Sequence, residues 1–169
     1  LTVGTSSETT NSSISNFKGF IDDLRLYNVA LKAWQFNQLS NPEAFAENAS
    51  DVNSKSKNLM GHWTFDGNTE DSSDNQNHGN LISGEFVADR EGTPSSALYL
   101  DGVGDHVIIP HSESLNPLDQ LSISVWLKID EFSNIWSPIF QKGQNIITGG
   151  KHRTYALWAR NNESFRFSS

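Results

Sequence analysis

The densest run of side chains able to do chemistry is Asp66–Asn80, with three Asp, four Asn, one Glu and one His. Hard oxygen donors at this density suit calcium, which takes about six to eight oxygens from carboxylates, amides and carbonyls. Asp71, Ser73, Asn75 and Asn77 alternate as the ligands of an EF-hand loop do. Gln76 stands where that loop needs glycine, Ile82 stands where it needs an acid, and the neighbouring segments are strand-like, so an EF-hand is excluded. The competing reading is a solvated turn loop whose Asp and Asn side chains bond their own backbone. A second acidic run, Asp101-Gly-Val-Gly-Asp105, reads first as a glycine turn between two strands and only secondarily as a metal site. His62, His78, His106, His111 and His152 are scattered, with no helical i, i+4 pair and no Cys/His array for zinc. His78 reads as a hydrogen-bonding loop residue.

Trp126, Trp136, Trp158 and Tyr155 offer a platform for a sugar ring, whose apolar C–H faces stack on exposed aromatics. The same side chains could instead fill a core. Trp136 is the best exposed candidate, because Asn134, Ser137 and Pro138 make its surroundings loop-like. No Gly-x-Ser-x-Gly elbow or phosphate loop is present. The absence of cysteine excludes a thiol nucleophile, a Cys-liganded zinc and a disulfide scaffold. Twelve Lys and Arg against twenty Asp and Glu give a net charge of -8, which argues against a nucleic-acid partner. No apolar run approaches the ~20 residues of a membrane helix. Asn11-Ser-Ser, Asn48-Ala-Ser and Asn162-Glu-Ser are formal glycosylation acceptors that carry little information in a chain so rich in Asn and Ser.

The elements that must position these residues are mostly strands. Phe20–Tyr27, Leu59–Phe65, Ala97–Leu100, His106–Ile109, Ser122–Ile129, Ile139–Gln141, Tyr155–Ala159 and Phe165–Phe167 are short apolar runs broken by Gly, Asn, Asp and Pro. Strict alternation over the first puts Phe20, Asp22, Leu24 and Leu26 on one face and Ile21, Asp23, Arg25 and Tyr27 on the other. Over Ser122–Ile129 it puts Ile123, Val125, Leu127 and Ile129 opposite Ser122, Ser124, Trp126 and Lys128. Only Ala30–Leu39 suggests a helix, anchored by Leu31, Trp34 and Phe36. Many short strands separated by turn signals predict an all-β antiparallel two-sheet sandwich. Leu1 with no leader before it suggests an excerpt or a processed product.

Several segments in order resemble the laminin-G-like jelly rolls of the concanavalin A-like lectin/glucanase superfamily. They are Gly61-His-Trp-Thr-Phe-Asp66, Asp71-Ser-Ser-Asp-Asn-Gln-Asn-His-Gly79, Ala97-Leu-Tyr-Leu-Asp-Gly-Val-Gly-Asp-His-Val107 and Leu121-Ser-Ile-Ser-Val-Trp-Leu-Lys128. Ile139-Phe-Gln-Lys-Gly143 and Tyr155-Ala-Leu-Trp158 continue the order. Phe17–Leu31 resembles the closing strand and turn of such a unit, but here it comes first, and the family's middle strands are missing. The expected jelly roll is therefore incomplete or permuted. Residues 1–45 are the closing strands of one unit, 46–57 a linker, and 58–169 the first part of another. The family's first and last strands are neighbours, so residues 1–40 can add their strand beside residues 59–66. Missing central strands would leave open sheet edges, which need cover or a partner.

The resemblance implies a non-catalytic, secreted or cell-surface recognition module that binds a glycan or a protein surface. It also implies a structural calcium shared between the loop and the closing strand. Asp71 and Asp23 are the carboxylates expected there, with Asp22 and Asp66 as substitutes and Asn75 and Asn77 adding oxygens. Alternation would turn only one of Asp22 and Asp23 toward any given ion. The paired acids of the superfamily's glycosidases, in an E-x-D-x-x-E pattern on one strand, are absent, so an enzyme is not expected. Two alternatives remain. One is a structural or adhesive building block that joins neighbouring copies through open sheet edges. The other is an accessory part of a polysaccharide-degrading enzyme.

Overall fold

A computed structural model describes residues 1–5, 16–40, 57–132, 136–146, 150–161 and 164–168, with backbone alone for 144–146 and 150–153. Most of the expected linker and the three acceptor asparagines, Asn11, Asn48 and Asn162, lie outside the described residues. The elements are β1 (Thr2–Val3), β2 (Lys18–Tyr27), α1 (Ala33–Ser40), β3 (Leu59–Trp63), β4 (Asn80–Ile82), β5 (Glu85–Val87) and β6 (Ala97–Asp101). They continue with β7 (His106–Ile108), a 3-10 turn (Glu113–Leu115), β8 (Ser122–Glu131), β9 (Ser137–Ile146), β10 (Gly150–Arg160) and β11 (Ser164–Ser168).

The fold is all-β: two antiparallel sheets packed as a sandwich. One sheet runs β11-β10-β9-β1-β7-β4. In the other, β2 is the central strand. It pairs with β8 along one side, and on the other side with β6 at its first half and β3 at its second. The segment that comes early in the chain thus fills the middle of a sheet otherwise built from residues after 58. Its Leu24 lies opposite Trp63 of β3. The interior between the sheets holds Val3, Ile21, Leu24, Trp63, Leu98, Phe140 and Tyr155, all fully buried.

β2 departs from strict alternation. Asp22 pairs with Trp126 and Arg25 with Ser124, so Asp23 and Leu24 together oppose Val125. This is a β-bulge, and Asp23 takes φ 56, the left-handed region that Asp tolerates better than most residues. The bulge resets the faces. Ile21, Leu24 and Leu26 all point inward at 0% exposure, while Phe20, Asp22, Asp23 and Arg25 lie on the outer face. The expectation that Phe20 and Asp22 share a face with Leu24 and Leu26 is therefore corrected. An apolar spacing of three (Ile21 to Leu24) followed by two (Leu24 to Leu26) can face one core only if a residue is inserted between them. Gly19 is required on the same strand, because a Cβ there would stand 2.2 Å from the Lys128 carbonyl oxygen.

β8 alternates as expected, with Ile123, Val125, Leu127 and Ile129 packed toward the core and Trp126 and Lys128 outward. Among the described residues it pairs with β2 alone, and β11 pairs with β10 alone. Between these two edges the sheets gape. A gap of ≈ 520 Å³ is lined by Ile123, Val125, Phe140, Leu157, Phe167 and, from α1, Phe36. Trp34, expected as an anchor of α1, is exposed instead.

Candidate functional site on the outer face of the five-stranded sheet

The Asp/Asn loop is built around one buried carboxylate. Asp71, 5% exposed, is joined by a β-bridge to Trp63 at the end of β3. Its Oδ1 accepts the backbone N–H groups of His62 (2.8 Å) and Ser73 (2.9 Å). Its Oδ2 accepts the Ser73 hydroxyl (2.9 Å) and the Asn77 N–H (2.8 Å). Asn75 and Asn77 donate their amide N–H groups to main-chain oxygens of β3, at Leu59 and Met60. The Asn77 carbonyl receives the Trp63 indole N–H at 3.0 Å. The loop is thereby fastened to β3, which packs beside β2.

The six residues expected to share a calcium ion are not gathered into one oxygen cage. A carboxylate offers about four lone-pair positions, and in Asp71 all four are taken by donors of the chain. Asp23 Oδ1 receives His62 Nε2 at 2.8 Å and Arg25 Nη2 at 2.9 Å. Asp22 is bonded to the Arg90 guanidinium, and Asp66 is exposed at the start of the loop. Among the described residues no group of three or more His, Asp or Glu could hold a metal. The link expected of an ion is made by His62, whose main chain donates to Asp71 and whose ring meets Asp23. The donor set therefore does not fit a calcium shared by loop and strand. The Asp101–Asp105 run is likewise tied locally: Asp101 Oδ1 accepts from Val103 and Asp105 Oδ2 from Asp101.

Chemistry-bearing side chains do collect on the outer face of the sheet, because the bulge turns both Asp22 and Asp23 there. Cross-strand register sets the rows: Tyr99–Phe20–Lys128, Asp22–Trp126 and His62–Arg25–Ser124. Phe20 and Tyr99 rings lie 4.9 Å apart, and Lys128 Nζ sits 4.3 Å from the Phe20 centroid. Arg90, from the turn after β5, lays its guanidinium 4.3 Å from the Trp126 centroid while bonding Asp22. Phe20, Asp22, Asp89, Arg90, Trp126 and Lys128, with the apolar carbons of Ala88, Ala97 and Leu127, enclose a hollow of ≈ 190 Å³. On the same strand, Arg25 Nη1 is buried without a hydrogen-bond partner.

The two neighbouring aspartates are driven apart in proton affinity. Burial, then the charge of Asp23, pushes Asp22 up to about 6, against the pull of Arg90. Burial would also raise Asp23, but the His62 hydrogen bond and the Arg25 charge carry it below its ordinary value. For Asp22 the sign follows from its raised value. Between the unfolded carboxyl value near 3.8 and about 6 the folded state binds the extra proton, so stability falls as pH rises through this window. Asp22→Asn is accordingly expected to raise the melting temperature relative to wild type above pH 6, with the gain fading below about pH 4; calorimetry at pH 4 and pH 7 checks it. An equal gain at both pH values would contradict the assignment.

The sequence-predicted Trp136 is half-buried, with the Arg160 guanidinium 5.7 Å from its ring centroid, and lines no part of the hollow. Tyr155 and Trp158 belong to the interior. Trp126, at 37% exposure, is the most open of the four platform candidates. Sequence reasoning missed Arg90, Phe20 and Tyr99 as site residues. The alternation of Ser122–Ile129 carried the signal for Trp126 and Lys128, whereas nothing local marks Arg90, whose partners lie on β2 and β8. No family model matches the chain, and no curated protein or solved structure is similar enough to it to establish a relationship.

Proposed function

We propose that this chain is a non-catalytic recognition module that binds a sugar residue in the outer-face hollow, with Trp126 as its stacking surface. The observation that carries the reading is the hollow itself: an exposed indole flanked by Phe20, with Asp22 and Arg90 as fixed polar groups. Apolar walls with a few convergent polar groups are the usual make-up of a ligand site. At ≈ 190 Å³ it is smaller than the ~300–1,000 Å³ of drug-sized pockets, a volume suited to one ring and not to a long chain. Its charges balance, two acids (Asp22, Asp89) against two bases (Arg90, Lys128), which suits a neutral sugar. The pairing of β2 with β3 supports the laminin-G-like, concanavalin A-like resemblance, in which closing and opening strands are neighbours. That resemblance in turn supports an extracellular or cell-surface setting. Binding to a glycan array tests the reading: hits are expected among neutral terminal sugars and are lost in Trp126→Ala. An array without hits overturns it.

A second reading has its own observation. The apolar gap between β8 and β11, with Phe165 and Phe167 at 55% and 50% exposure, favours a building block whose neighbouring copy covers the open edges. Sedimentation across a range of concentrations distinguishes the two: self-association supports the building block, and a monomer throughout removes it.

A further inference from the structure

A line of side chains at the end of the six-stranded sheet is left unused by either reading. β9 lies between β1 and β10. Phe140 faces the core, and alternation sends Lys142, two residues on, the same way. Lys142 pairs across the strands with the buried Tyr155 and is itself only 4% exposed. Its amine ends 3.3 Å from His111 Nδ1. On the other side of that ring, Nε2 is 3.2 Å from Glu113 Oε1. In the tautomer that carries its proton on Nε2 and donates a hydrogen bond to Glu113, the Nδ1 lone pair is turned toward the amine. The order is nucleophile, base and orienting carboxylate, the arrangement that activates serine and cysteine nucleophiles, here with an amine in the first place.

We propose that Lys142 is a nucleophilic amine that accepts an acyl group from a small thioester, with His111 as its base and Glu113 holding the base in orientation. The amine nitrogen attacks the acyl carbon, a C–N bond forms and the C–S bond breaks. The amine proton passes to His111 Nδ1, and the departing thiolate takes that proton and leaves as the thiol. The product is an amide on Lys142, with no oxidant or reductant required. Burial lowers the proton affinity of Lys142, opposed by the charge of Glu113. By contrast Lys18 is held as an ammonium by its hydrogen bond to Glu131. Lys142 is closely covered, so the donor is a small, unhindered acyl group.

The test is acetylation of the whole protein by S-acetyl-N-acetylcysteamine at pH 8, followed by peptide mass spectrometry of all seven lysines. Lys142 is expected to be acetylated about tenfold faster than the mean of the other six. That preference should vanish in His111→Gln, since a positioned base contributes about 100-fold or more when its geometry is good. His111 is exposed, so the variant should keep its melting temperature, which circular dichroism checks. Urea-unfolded wild type should show no preference. A folded protein in which Lys142 is no faster than the other lysines overturns the proposal. So does a preference that survives His111→Gln.

Discussion

Insertion of an alanine between Leu24 and Arg25 is expected to abolish the cooperative thermal transition. The bulge at Asp23 already absorbs one extra residue, so that Ile21, Leu24 and Leu26 face one core. A second extra residue puts alternation out of step in the rest of β2, turning Arg25 in and Leu26 out. A fully buried Leu is worth about 1.5–3 kcal/mol, and an unpaired charge placed in the core costs several more. The total rivals the lower part of the about 5–15 kcal/mol that holds a domain together. Deletion of Asp23 is the control. It removes the bulged residue and leaves Ile21, Leu24 and Leu26 at an unbroken spacing of two, with only the contacts of Asp23 to His62 and Arg25 lost, so it should stay folded and destabilise by about 1–3 kcal/mol. Calorimetry of the pair decides. An insertion mutant that melts within a few degrees of wild type would show that β2 is not registered as described.

The second large effect is expected at Asp71. Asp71→Ala removes the acceptor for three main-chain N–H groups, those of His62, Ser73 and Asn77, and for the Ser73 hydroxyl. Buried donors left without partners cost about 1–3 kcal/mol each. A loss of about 3–5 kcal/mol follows, or roughly 10–15 °C in melting temperature for a chain of this size. Asp71→Asn restores at most part of it, because its NH₂ group would face donors. EDTA separates this account from an ion-held loop: since the four lone-pair positions of Asp71 are filled from the chain, chelation should leave the wild-type melting curve unchanged. A drop on chelation that Asp71→Ala abolishes would instead place a cation at this carboxylate.

The long strands were legible because their side chains must satisfy a period. Ser122–Ile129 has an unbroken alternation, and β8 covers it with the predicted inner face. β9 and β10 are longer than the apolar runs Ile139–Gln141 and Tyr155–Ala159, since polar residues extend pairing into hairpins where no core is needed. β1, β4 and β5 were not legible, because two or three residues set no period. The bulge was written in the spacing of Ile21, Leu24 and Leu26, but only a sheet whose inner face is known turns that spacing into a register. The Asp71 loop was rightly singled out as rich in oxygen donors. Whether such donors gather an ion or backbone N–H groups is decided by which amides the fold brings near. The hollow was half visible: Trp126 and Lys128 follow from alternation, while Arg90 reaches it through a contact with Trp126 and Asp22 that no local pattern encodes.

The measurement that tests the recognition site most directly is a ¹H–¹⁵N titration of the five tryptophan indoles and the arginine Nε–H groups with a sugar that binds on the array. Trp34, Trp63, Trp126, Trp136 and Trp158 each give a separate reporter. The outer-face site predicts that the Trp126 and Arg90 signals shift together and saturably, with Trp63 and Trp158 unmoved in the core and Trp136 unmoved outside the hollow. Saturable shifts at Trp136 or Trp34 with Trp126 and Arg90 unchanged would contradict it.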